Sequence, residues 1–280
     1  MKIRFIICSA FLVSSFSMKA QEKFSVNMNL KTEPTDKSDF NETGIGVFFS
    51  KIINPKTSIA NTVSFSNLNV NYEPGSAGTF ESLNELRQIK DKFEISKDIS
   101  KSTTLHFSLT PTAGFQHNLD FSDFSLLGSF EISQKLNSKA ILSIGAARTT
   151  VFGNMKFMPT ASFNYTVNNS TNVLIGFPDS KISYSNNIRN KFSLNNNFNG
   201  NFYNLDTQNN TNNTAAKAVL SQMTTSFEYE RNVEKNWFLN FKAGYDFDKK
   251  YKLTDSRDHA VYDFNTGSGY VLGIGIKYKQ

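Results

Sequence analysis

Residues 93–105 read FEISKDISKSTTL, and nearly the same string returns three times: FEISQKLNSKAIL at 130–142, FNYTVNNSTNVLI at 163–175 and FEYERNVEKNWFL at 227–239. VFFSKIINPKTSI at 47–59 is a looser version. Phe93, Ile95, Leu105, Phe107 and Leu109 are apolar at every second position around a break, as are Phe227, Tyr229, Trp237, Leu239 and Phe241. Period two is the mark of a strand with one apolar face. The break surrounds one apolar residue (Ile99, Leu136 or Val233) with Lys, Asn, Ser or Asp, the chemistry of a short polar turn. Each repeat therefore reads as a β-hairpin with a tight connection.

Between hairpins the chain passes through longer, more variable segments: NYEPGSAGTFES at 71–82, FQHNLDFS at 115–122 and DKKYKLTDSRDHAVYDFNTG at 248–267. Short turns at one end and long loops at the other predict an all-β, up-and-down antiparallel barrel that crosses an outer membrane. Closure is required there, because a free strand edge in lipid leaves backbone groups unpaired. The last strand, SGYVLGIGIKYKQ, puts Tyr270, Leu272, Ile274, Ile276 and Tyr278 on one face and glycines and lysines on the other. Aromatics at both ends of an apolar stripe suit interfacial girdles. A soluble sandwich shows similar alternation but offers too little core for so many aromatic stripes.

Strands are expected near 24–31, 42–52, 57–70, 85–97, 102–114, 122–134, 139–150, 156–168, 172–185, 218–231, 236–248 and 266–279, which makes about 12. Residues 81–93 also carry a helical three-residue spacing. Residues 186–213 hold 13 Asn in 28 positions and read as one long loop, or as containing an extra hairpin at 192–205 that raises the count to 14.

The chain has 27 Phe and 10 Tyr but one Trp and six Pro, a balance that favours strands over helices. Residues 1–20 have a basic start (Lys2, Arg4), an apolar Phe5–Val13 core and a small-residue exit at Ala20, which predicts a secretory signal followed by a barrel domain over 21–280. The only cysteine, Cys8, lies inside that signal, so no disulfide is expected in the exported protein. The chain carries +6; removing Lys2, Arg4 and Lys19 leaves +3, a small and scattered surplus that does not favour nucleic acid.

LSIGAARTTVFGNMKFMPTASFNYTVNNSTNVLIGFPDSKISYS, residues 142–185, has a Gly-containing strand, a strand led by Pro159, a turn, then Gly-Phe-Pro (176–178) before Ser183 and Tyr184. This stretch resembles the middle of an uncharacterised, domain-of-unknown-function family of outer-membrane β-barrel proteins of Gram-negative bacteria, and the likeness extends loosely from about residue 40 to the C-terminus. The resemblance implies location and shape and brings no activity with it. Pro178, inside an apolar run, reads as a bulge or kink, or as a bend that narrows the lumen.

Three histidines limit the chemistry. His106 is expected to face inward beside Ser108, but side chains two apart on a strand stand about 7 Å apart, too far for a direct hydrogen bond. His117 and His259 fall in loops; His259 with Asp258, Asp263, Asp246 and Asp248 is a loop metal-site candidate without a recognisable ligand spacing. No phosphate-binding loop is present. The inward faces are more telling: Glu228 and Glu230 are expected beside Lys242, Asp246 and Asp248, with Lys277 and Lys279 on the last strand and Glu94 and Glu131 on earlier ones. Such charges must be paired or wet. They fit a rigid, filled interior or a water-filled one that filters solutes. The expected function is a non-enzymatic, porin-like or small-solute-binding barrel with no cofactor. Its partners are outer-membrane lipids and small solutes, and its oligomeric state is open. The alternatives are a structural or adhesion barrel acting through the Asn-rich 186–217 segment, and a lipid-modifying enzyme using His106.

Overall fold

The computed structural model describes residues 22–72, 83–206 and 215–280. The expected signal segment lies outside these. Fifteen strands follow in order: β1 (Glu22–Pro34), β2 (Ser38–Asn54), β3 (Thr57–Tyr72), β4 (Glu85–Asp98), β5 (Thr103–Phe115), β6 (Phe124–Lys135), β7 (Ala140–Thr149), β8 (Lys156–Asn168), β9 (Thr171–Phe177), β10 (Asp179–Ser185), β11 (Asn190–Asn204), β12 (Lys217–Glu234), β13 (Trp237–Thr254), β14 (Ala260–Asp263) and β15 (Gly267–Lys279). From β1 to β14 each strand pairs antiparallel with the next, β13 also pairs with β15, and β15 returns to β1. Fourteen strands thus close an up-and-down barrel, and the four-residue β14 is an extra ribbon on the end of β13.

The repeated strings form the hairpins at the turn end of this barrel. Ile99 and Leu136 sit in four-residue turns held by backbone bonds from Ile99 N to Thr103 O (3.0 Å) and from Leu136 N to Ala140 O (2.9 Å). The count of 14 is reached by a different route from the hairpin proposed for 192–205. That segment is a single strand, β11. The predicted strand at 172–185 is instead two seven-residue strands, β9 and β10, folded back at Pro178. Pro178 is neither a bulge nor a kink but the tip of a half-length hairpin, where its missing N–H costs no ladder bond.

The outward faces between the turns and mid-height are largely apolar and exposed, with Met28, Leu30, Ile45, Phe130, Ile144 and Ile274 among their members; Asn61 and Asp91, hydrogen-bonded to each other on β3 and β4, are exceptions. Trp237 and Tyr278 meet edge-on at the turn end (5.2 Å between ring centroids), and Tyr245 and Tyr270 do so further up (5.5 Å). Eight residues of β13 separate the two pairs, which at ~3.3 Å per residue and a tilt of about 40° is a height of ~20 Å.

Above that level the architecture changes. The outer part of β11 leaves β10 and crosses to β5, where Asn204 pairs in parallel with Phe115. Gly114 permits this approach: a Cβ there would collide with the Phe202 carbonyl. Strands β11, β12, β13, β15 and β1–β5 therefore form a narrower ring at the loop end, while β6–β10 stop below it. The ring is filled by Phe40, Leu68, Val70, Leu86, Tyr203, Leu220, Tyr251 and Leu253, all buried. Tyr251 stacks on Phe264 (4.6 Å), and its hydroxyl meets that of Tyr72 at 3.1 Å.

Candidate functional site

The inward side chains fall into three levels. Nearest the turns, a cavity of about 440 Å³ is lined by Asn27, Asn29, Lys31, Lys181, Lys191, Glu228, Glu230, Lys242, Lys277 and Lys279, among others. Strand alternation aims these groups together: Glu228 stands opposite Lys242 in the β12–β13 register, and Lys277 lies two residues from Lys279 on β15. Glu230 accepts from Lys279 at 2.7 Å and from Lys277 at 3.5 Å, and Glu228 lies 3.6 Å from Lys181. Lys191 and Lys242 enter no ion pair among the described residues, so six lysines face two glutamates here.

The middle level is a connected charge layer. Glu33 accepts from Lys31 at 2.8 Å and from Lys249 at 2.5 Å; Lys31 also reaches Glu42 at 2.8 Å. Lys249, with a wholly buried side chain, bonds Asp246 at 3.2 Å and lies 4.3 Å from the Phe40 ring centroid. Thr224 donates to Asp246 at 2.5 Å, and Gln222 donates to Glu33 at 3.1 Å. A smaller cavity of about 250 Å³ touches this layer, lined by Lys31, Glu42, Asn199, Asn201, Gln222 and Lys242. The Gln222 Oε1, Asn195 Nδ2 and Ser226 Oγ atoms are buried without a partner among the described residues. Uncompensated atoms of that kind mark space that takes water or solute. The apolar ring described above forms the third level and seals the axis.

The sequence-predicted residues are placed as follows. Glu228, Glu230, Lys242 and Lys277 line the lower cavity. Asp246 points inward but belongs to the Lys249 layer. Asp248 does not join it: a register shift after Asp246 puts it at positive φ (50°) on the surface, paired with Lys250 at 2.7 Å. His106 faces inward on β5, opposite Glu131, and its Nδ1 meets Ser96 Oγ across the β4–β5 ladder at 2.8 Å. Ser108 instead pairs with Ser129 at 2.7 Å. The loop metal candidate is dispersed: His259 contacts Asp255 at 3.3 Å, Asp263 pairs with Lys252, and Asp246 lies in the lumen. The segment 186–217 is not one outer loop. Residues 186–189 turn at the opposite end, and β11 projects Asn195, Asn197, Asn199 and Asn201 inward, which accounts for much of its Asn content. Sequence reading missed Lys31, Glu33 and Lys249, although the period-two pattern of KFSVNMNLKTEP places Lys31 and Glu33 on the polar face.

A closed β-barrel with an outward apolar belt, paired aromatics at both its edges and its charge clusters inside is an outer-membrane β-barrel; the short-turn end, which holds the start of β1 and the end of β15, is the periplasmic end. The chain belongs to the family described as "Domain of unknown function (DUF6268)", whose profile matches residues 81–279. No curated protein sequence matches it significantly. Among solved structures it is similar to the COG4313 outer membrane channel from Pseudomonas putida F1 (10% identity, TM-score 0.48, covering 94% of this chain and 97% of that one). It is similar also to the P. putida toluene transporter TodX (8%, 0.47, 94% and 90%). A third is the translocator domain of the autotransporter NalP from Neisseria meningitidis (8%, 0.42, 99% and 95%). At these scores the likeness is one of general barrel form and carries nothing about solute.

Proposed function

We propose that the protein is a non-enzymatic, porin-like barrel whose periplasmic-side cavity takes up small anionic solutes. The observation that carries this reading is the lysine excess in the 440 Å³ cavity, where neither the half-buried Lys242 nor the more exposed Lys191 enters an ion pair among the described residues. A cation in that position is stabilised by an anion arriving from water, and a cleft of one sign raises the local concentration of counter-ions. Asn27, Asn29 and Asn240 add donors and acceptors to the same wall. The apolar seal at the loop end supports a barrel that binds or passes solute selectively over one standing open along its axis. His106 supports no catalytic reading: its partner is Ser96 through Nδ1, and among the described residues no carboxylate pairs with it.

The test is calorimetric titration of citrate into the refolded barrel in detergent. Citrate should bind the parent chain at least tenfold more tightly than the Lys191→Gln/Lys242→Gln variant, with affinity falling as salt rises. Equal binding by both, or preference for a cation of the same size, rejects the reading.

A further inference from the structure

The half-length hairpin leaves a break in the wall. β8 pairs with β9 only from Ala161 onward, so Lys156–Thr160 has no strand neighbour on that side among the described residues. β10 pairs with β11 only as far as Asn197; beyond it Phe198 N still bonds Pro178 O at 3.1 Å and Asn204 meets β5, so Asn199–Tyr203 has no strand neighbour on that side among the described residues. From Thr171 the hairpin rises six residues to Phe177, ~15 Å of height at ~3.3 Å per residue and about 40° of tilt, against an apolar belt of ~25 Å. The break therefore lies within the belt, facing the outer leaflet.

One segment fills it. The β7–β8 loop, residues 150–155, reaches past the hairpin to β11, where Thr150 Oγ1 donates to Gly200 O at 2.7 Å. Gly200 makes the contact close: a Cβ there would collide with Thr150 O. Phe152 occupies the opening itself, 6.2 Å from Phe177 and 6.0 Å from Phe198 between ring centroids. On the lumen side a cavity of about 400 Å³, lined by Ser108, Ser129, Thr160, Ser162, Leu174 and Asp179, runs up to Phe177 and Pro178. On the lipid side, Phe157 is 82% and Ile175 62% exposed.

We infer that this break is a lateral portal between lumen and outer leaflet, closed by Phe152, and that its solute is an amphiphile with an anionic head and an apolar tail. The head requirement rests on the lysine cavity proposed above; the tail requirement rests on the portal alone. The axial route is blocked by the apolar ring, while the side route is closed by one short loop, tied to β11 by the Thr150 hydroxyl and packed through Val151 and Gly153. The loop seals with aromatic contacts that a hydrocarbon tail can replace in kind.

The test uses a long-chain fatty acid carrying a diazirine in its tail, supplied in phosphatidylcholine bilayers holding the refolded full chain. After illumination, adducts are mapped by mass spectrometry. Luminal adducts at Leu174 and Thr160 should fall at least fivefold when a Phe152→Cys/Phe198→Cys variant is oxidised, and return on reduction, while adducts at the lipid-facing Ile144 stay constant. Gly200→Ala, which pushes the loop off β11, should raise luminal adducts in a barrel that still shows its heat-modifiable gel shift. Luminal labelling indifferent to the lock, or absent in every form, overturns the portal. Citrate binding that survives such a result leaves the anion reading standing; loss of citrate binding with lock-dependent labelling removes the anionic head and keeps the portal.

Discussion

Replacing Lys249 by methionine removes the one cation that joins Glu33 to Asp246 inside the barrel. The side chain is of similar length, so packing against Phe40 is largely kept and the change is mostly one of charge. Glu33 retains Lys31 at 2.8 Å, but Asp246, wholly buried, is left among the described residues with the Thr224 hydroxyl alone. Breaking a buried pair by removing one partner costs about 3–5 kcal/mol, because the remaining charge stays desolvated. Some 4 kcal/mol is roughly a thousandfold in the folding equilibrium. Because Lys249 lies where the wide barrel meets the narrow ring, the loss should appear first as local opening of β13 beyond the register shift. Hydrogen exchange read by mass spectrometry on 249–254 should rise by about that factor, while the β12–β13 turn near Trp237, the chain's one tryptophan, changes little. Adding Asp246→Asn removes the stranded charge and should recover at least half of the effect. A single variant within 1 kcal/mol of the parent, or a double variant worse than the single, refutes the claim that the layer is held by charge pairing.

Four further outcomes are expected. Ile274→Arg on the outward face of β15 should cost about 2–4 kcal/mol in urea unfolding from bilayers if the belt faces lipid there. Tyr251→Phe, which removes the hydroxyl contact with Tyr72, should cost about 1 kcal/mol in the same assay. His106→Ala should leave the lipid composition of the host envelope unchanged on mass spectrometry; a change would restore an enzymatic role to Ser96 and His106. Asp255, in the loop after β13, is held below the usual carboxylate range by the backbone N–H of His259, then by that of Arg257. Its folded value is depressed, so the loop's added stability is present above the ordinary aspartate pKa and lost as pH falls through the lowered one; the amide resonances of Arg257 and His259 should shift in that window, and an Asp255→Asn chain should show no such transition.

The lower barrel was legible in the chain because one rule governs it: apolar outward, polar inward, with a short turn between. The inward set from Glu228 to Lys277 follows from parity alone. The loop end was not legible, because there the rule reverses on the same strands. On β3, Val63 and Phe65 face outward, but five residues on it is the inward Leu68 and Val70 that are apolar and buried. On β13, Phe241 and Tyr245 point to lipid, and after the register shift Tyr251 and Leu253 point to the core. A pattern whose sense changes halfway reads as a slip or a loop. The hairpin at Pro178 was hidden for a related reason: the apolar face passes from odd positions (Val173, Ile175) to even ones (Ile182, Tyr184) across a very short tip, which reads as a slip within one strand. Lys249 was missed because it lies beyond the strand predicted to end at 248.

The core at the loop end has a consequence for how the chain comes to rest in its membrane. Phe40 lies fourteen residues above the end of β2 at Asn54, ~35 Å of height by the usual rise and tilt, which is beyond the hydrocarbon. Phe40, Leu68, Tyr203, Tyr251 and their neighbours have to travel across as separate side chains, and only on the far side do they gain one another's contacts. Drawing any one strand back would mean taking that cluster apart again in water. The packed cap thus acts as a rivet head set after insertion: it gives a direction to assembly and holds the strands in place from outside the bilayer.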